Sequence, residues 1–99
     1  MIKLEVDFFE DLYLKAKLSF DKCISNPDNN YLKDEIDVQI DEIILMEDFI
    51  RVQFFQRKLD KFVIEVKLQL ISKDNRLIGS YFYYEDEKNT PLDDSLIFN

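Results

Sequence analysis

FIRVQFFQRKLDKFVIEVKLQLISKDNRLIGSYFYY, residues 49–84, is the stretch whose reading decides the fold. Period-2 alternation puts successive side chains on opposite faces of a strand. Over 49–56, Ile50, Val52 and Phe54 fall on one face and Arg51 and Gln53 on the other. Over 62–71, Phe62, Ile64, Val66, Leu68 and Leu70 alternate with Val63, Glu65, Lys67, Gln69 and Ile71. This five-residue apolar face marks the central strand. The third run, 77–85, is rich in the aromatic residues that suit a pleated surface. Polar connections of hairpin length separate the runs, Arg57 to Lys61 and Ser72 to Arg76. The pattern predicts an antiparallel meander.

Working outward, the period changes on the N-terminal side. Ile2, Leu4 and Val6 alternate with Lys3 and Glu5, which admits a short first strand. From Asp7 onward Phe9, Tyr13, Ala16, Phe20 and Ile24 recur at helical spacing, with Leu12 and Cys23 beside them. Asp7 and Glu10 have capping-box spacing, and Asn26-Pro27 stops the helix. A helix over about 7–25 follows. Leu14 and Leu18 fall on its far side, as plain surface leucines, as a dimer or partner contact, or under the 26–33 loop. Next, Ile36, Val38 and Ile40 alternate with Asp37, Gln39 and Asp41, and Ile43 to Met46 continue the apolar run, so a strand is expected over about 35–46. The change of parity near Asp41-Glu42 suggests a bulge there, and Glu47-Asp48 reads as a tight turn into Phe49. On the other side Pro91 to Asp94 reads as a loop and 95–98 as a short closing strand. The expected fold is α+β: one amphipathic helix on an antiparallel sheet of four to five strands, in a single domain.

Composition removes most chemistries. Ninety-nine residues make one domain, and 46% hydrophobic content supports a core of its own. The chain has no histidine, which excludes mechanisms with a histidine base, acid or ligand. One glycine cannot build a dinucleotide or phosphate-cradling loop. The single Cys23 excludes an internal disulfide and a cysteine zinc cluster; on the apolar stripe of the helix it reads as an inert, buried thiol. No calcium-loop spacing occurs among the acids. Neither catalysis, a metal nor a cofactor is expected. No apolar run approaches the roughly 18 residues of a membrane span, and the acids near the N-terminus interrupt any secretory core. A cytoplasmic location without membrane contact is expected.

Charge is the feature with content. The net charge of −8 is unevenly placed. Seven acids and no base fall between 34 and 48: Asp34, Glu35, Asp37, Asp41, Glu42, Glu47 and Asp48. Five more, Glu85, Asp86, Glu87, Asp93 and Asp94, meet only Lys88 between 85 and 94. Residues 49–84 hold seven bases against Asp60, Glu65 and Asp74. Two readings stand: charges interspersed in space for solubility, or an acidic patch that steers and docks a basic protein. Acids repel nucleic-acid phosphates, so direct nucleic-acid binding is not expected. Tyr81, Tyr83 and Tyr84 are candidate interface anchors or core residues.

The layout of N-terminal helix, loop, the strands in DEIDVQIDEIILMEDFIRVQFF and the ending YFYYEDEKNTPLDDSLIFN resembles small bacterial immunity proteins. The nearest group protects cells against contact-dependent growth inhibition toxins, and the closing Asp93, Asp94, Leu96 and Phe98 is its most specific piece. The resemblance implies a cytoplasmic, non-enzymatic protein that binds and blocks a toxin domain, often a basic nuclease. It assigns no residue a role one by one. Beside it stand two other classes: an acidic inhibitor or nucleic-acid mimic directed at a host DNA-binding protein, and a structural subunit that forms a homo-oligomer. Monomer and homodimer both remain open.

Overall fold

The computed structural model describes residues 6–26, 42–55 and 58–99; of Val6, Lys58 and Leu59 it describes the backbone alone. Helix α1 runs Val6–Ser25 and is followed by four strands, β1 Ile44–Phe55, β2 Lys58–Ile71, β3 Leu77–Asp86 and β4 Pro91–Phe98. They form one antiparallel sheet in the order β1-β2-β3-β4. One helix packed on a four-stranded antiparallel meander is the α+β arrangement expected from the alternation. The strand containing Phe62–Ile71 lies between two neighbours, as its long apolar face requires.

The core lies between α1 and one sheet face. Leu12, Ala16, Phe20 and Ile24 descend from the helix onto Ile64, Val66, Leu68 and Leu70 of β2, all buried. Each large side chain among them contributes roughly 1.5–3 kcal/mol by leaving water. The stripe is rotated from the expected one. Phe9 is 36% exposed and rests edge-on against Phe8, while Leu12 takes the buried position. The i, i+4 series from Phe8 to Ile24 outranks the series begun at Phe9, because it alone keeps one residue per turn facing β2. Leu14 and Leu18 are more than half exposed.

Three boundaries differ from expectation. Glu47-Asp48 is not a turn: β1 runs through it, and Asp48 is an extra residue between the pairs Glu47↔Leu68 and Phe49↔Lys67. Such a bulge absorbs a change of parity without reversing the chain. Ile43 and Leu45 before it and Ile50 and Val52 after it all pack on the core. β2 begins at Lys58, so Asp60 and Lys61 belong to the strand and not to the connection. β4 begins at Pro91, where a missing N–H is tolerated at the first residue of an edge strand. The segment expected as a strand over 35–46 lies outside the described residues up to position 41, as do the suggested bulge at Asp41 and the short strand at 2–6 up to residue 5.

Both later hairpins close with the same turn. In Ser72–Arg76 the first residue's carbonyl accepts Asn75 N–H, its N–H donates to the Arg76 carbonyl, and its Oγ accepts Arg76 N–H. In Asp86–Thr90 the carbonyl accepts Asn89 N–H, the N–H donates to the Thr90 carbonyl, and Oδ1 accepts Lys88 and Thr90 N–H. Asn75 and Asn89 occupy the same position at φ 64° and 61°, the left-handed conformation asparagine tolerates. The second turn places acids at the end of the sheet.

Candidate functional site

The helix crosses β3 and β4 on polar groups. Alternation on β3 sends Tyr81, Tyr83 and Glu85 to the helix side, where all three are buried. Helical spacing sets Lys15 and Ser19 above them, one turn apart. Tyr81 Oη donates to Asp94 Oδ2 at 2.6 Å, and its single proton is thereby committed. The Ser19 hydroxyl, 2.6 Å away, must therefore donate to Tyr81 Oη. A turn back along the helix, Tyr83 Oη donates to Glu85 Oε2 at 2.8 Å and Lys15 Nζ reaches the same oxygen at 3.4 Å. The helix thus runs antiparallel to β3, with its N-terminal half over the end that carries the acids of the Asp86–Thr90 turn.

These surroundings shift the acids and phenols in definite directions. Burial, then the bond to Asp94, pushes the Tyr81 phenol well above its ordinary value. Burial, then the bond to Glu85, does the same to Tyr83. Cys23 rises through burial and then the charge of Asp94; it packs against the core but is half-buried, not buried as its place on the stripe predicts. The Asp86 carboxyl is held below the usual carboxylate range, chiefly by the Thr90 N–H. A cavity of about 390 Å³ opens beside this network, lined by Lys15, Leu18, Ser19, Lys22, Tyr83, Asn89 and Pro91.

The acids expected at an interface have diverse places. Asp34, Glu35, Asp37 and Asp41 lie outside the described residues. Glu42 pairs with Lys73 at 3.6 Å and Glu47 with Lys17 at 2.8 Å, the latter tying β1 to the helix. Asp48 pairs with Lys67 at 3.3 Å and accepts Gln69 Nε2 at 3.0 Å on the opposite sheet face. Glu85 is 0% exposed and Tyr83 is buried, so neither belongs to a surface patch. Alternation explains both: odd positions of β3 face the helix. Asp86, Glu87, Asp93 and Asp94 remain at the surface of the β3–β4 hairpin, wholly or half exposed, and form none of the ion pairs among the described residues. Tyr84 is half-buried on the face away from the helix, in the row Arg51–Glu65–Tyr84, with its phenol raised by burial and then by Glu65. One row over, Lys67 lies above the rings of both Phe49 and Phe82 at 5.5 and 5.8 Å.

Lys15 and Ser19 were not legible as site residues. Their signal is the i, i+4 spacing on the helix flank next to the core stripe, opposite a strand that alternates tyrosines with an acid. Among the described residues no helix is long and apolar enough to cross a membrane. No family, curated protein or solved structure matches this chain.

Proposed function

We propose that this chain is a non-enzymatic immunity protein of cytoplasmic location, which binds and neutralises a bacterial toxin domain, a basic nuclease, through its acidic surface. The observation that carries this reading is the β3–β4 hairpin, where Asp86, Glu87, Asp93 and Asp94 stand at the surface with Lys88 as the only cation of the segment. Most other described acids of the expected patch are spent on internal pairs, so the docking surface contracts to this hairpin. The acids between 34 and 41 lie outside the described residues and extend it only in sequence. The hairpin suits the role, because four hydrogen bonds fix the backbone of its turn and so lower the ordering cost on binding.

The test is stopped-flow association with the toxin domain encoded beside its gene, across a salt series. Attraction between the hairpin and a basic partner should lift the rate above the ~10⁵–10⁶ M⁻¹s⁻¹ of uncharged docking. The rate should fall steeply as the Debye length shrinks from about 10 Å at 0.1 M to about 3 Å at 1 M. Glu87→Lys with Asp93→Lys should slow association, whereas Lys61→Glu should not. Those two acids are chosen because neither holds the turn or Tyr81. A rate indifferent to salt and to both substitutions would remove the electrostatic mechanism. Tight binding to a host DNA-binding protein in place of a toxin would favour nucleic-acid mimicry.

A further inference from the structure

The sheet presents a second face, turned away from α1. Paired strand residues share a face, so the register defines its rows. Ile44, Ile71 and Leu77 form the first row, and the second runs from Met46 on β1 to Ile97 on β4. Ile44, Met46, Leu77 and Ile97 are each about half exposed. Ile71, paired with Ile44 and Leu77, is buried, yet it stands outside the core under the helix. Clustered apolar exposure of this kind marks a contact surface. In the third row Lys67 lies between Phe49 and Phe82, over both rings, with Asp48 at 3.3 Å. The fourth begins at Arg51 on β1, which pairs with Glu65 at 3.5 Å. It ends on β4 at Asp93, two residues before Ser95 of the third row.

Charge and area select the occupant. On a chain of net charge −8 the inner rows of this face are balanced, Lys67 by Asp48 and Arg51 by Glu65. A second copy is repelled over most of the surface and least here. Four strands ~4.8 Å apart, followed for the ~30 Å between Ile44 and Gln53, give roughly 600 Å², at the lower edge of a standard interface's ~600–1,000 Å² per partner. The register also sets the symmetry. A two-fold axis along the strands lays β1 of one copy over β4 of the other and keeps each row facing its own kind. Met46 then meets Ile97 of the second copy, Ile71 meets Leu77, and Arg51 meets Asp93. An axis across the strands would set the apolar rows over the charged one. We propose that two copies of this chain pair through this face as a two-fold β-sandwich, Arg51 of each bridging to Asp93 of the other. The pairing takes Asp93 out of the acidic surface and leaves Asp86 and Glu87 at its end.

Sedimentation velocity of the full chain over a concentration series tests it, with 12.0 kDa as the monomer mass. A dimer of twice that mass is expected. Arg51→Glu should weaken it by about tenfold, since a like charge would then face Asp93. Adding Asp93→Arg to the same chain should restore it, which a merely structural role for Arg51 would not do. Met46→Lys and Ile97→Lys, both at half-exposed positions, should abolish pairing while the thermal transition of the monomer survives. A monomer mass throughout, a dimer indifferent to both lysines, or a charge swap that fails to restore pairing overturns the proposal. Assemblies larger than a dimer would overturn the closed two-fold. So would a monomer whose Met46→Lys variant loses toxin binding, which assigns the face to that partner instead.

Discussion

The helix rests on two different floors. Over β2 it lays Leu12, Ala16, Phe20 and Ile24 on Ile64, Val66, Leu68 and Leu70, apolar side chains on apolar side chains. Over β3 and β4 it lays Lys15 and Ser19 on Tyr81, Tyr83, Glu85 and Asp94 through directed bonds. The apolar floor supplies most of the adhesion, because burial is non-directional and scales with area. The polar floor adds little net stability per bond, since each replaces a bond to water. What it adds is angle. A chain of Ser19, Tyr81 and Asp94 is satisfied at one rotation of the helix about its axis, and Ala16, fully buried, sets how closely the helix approaches.

The sharpest way to break this contrast is a charge on the apolar floor. Val66→Asp would bury a carboxylate at a position with no exposure to solvent, between Ile50 and Tyr83 in the core, and cooperative folding should be lost. A cooperative thermal transition near that of the parent would show that the apolar floor is not what holds the sheet to the helix. A milder probe loads the polar floor with charge by pH. Burial raises both the Tyr81 and the Tyr83 phenol above the ordinary tyrosine value of about 10. The folded state therefore keeps protons that the unfolded chain has begun to lose. Stability should be full below about pH 10 and fall above it, by up to about 1.4 kcal/mol per pH unit for each tyrosine. Melting temperatures between pH 8 and 11.5 check this, and a flat profile would contradict the buried phenols. Smallest is Tyr81→Phe at neutral pH, which deletes one bonded hydroxyl and should cost about 1 kcal/mol by denaturant titration. The same variant should flatten the alkaline fall. A cost as large as that of Val66→Asp would mean the polar floor carries adhesion as well as angle.

The apolar floor was legible in the sequence and the polar one was not, for one physical reason. Burial repeats with the period of its element, so Phe62 to Leu70 and the helix spacing announce themselves. A hydrogen bond between Ser19 and Tyr81 joins positions 62 residues apart and leaves no periodic trace. Strand alternation sets Tyr81, Tyr83 and Glu85 on one face of β3, but alternation by itself does not say which face meets the helix. Glu85 therefore counted as a surface acid until the fold put it inside. The helix stripe was misplaced by one residue at Phe9, since Phe8 and Phe9 offer equal hydrophobicity and only packing against β2 separates them. The hairpin acids stood out by charge alone, and their exposure follows from the turn that Asp86 closes.

The extra residue at Asp48 has a consequence for how this chain can change in length. Ile43 and Leu45 pack on the core ahead of it and Ile50 and Val52 beyond it, and only an inserted residue reconciles those numbers on a single strand. Removing that residue would join Glu47 directly to Phe49, leaving every remaining pair with β2 unchanged and every side chain on its present face. A deletion within the regularly paired run from Ile50 to Gln53 would turn the residues on one side of it to the other face, because one step reverses the faces. Position 48 is thus a splice point: the gene can lose a codon there and forfeit only a local kink and the carboxylate that meets Lys67 and Gln69. Along that paired run the reading of inside and outside is as unforgiving of a lost residue as a coding frame is of a lost base.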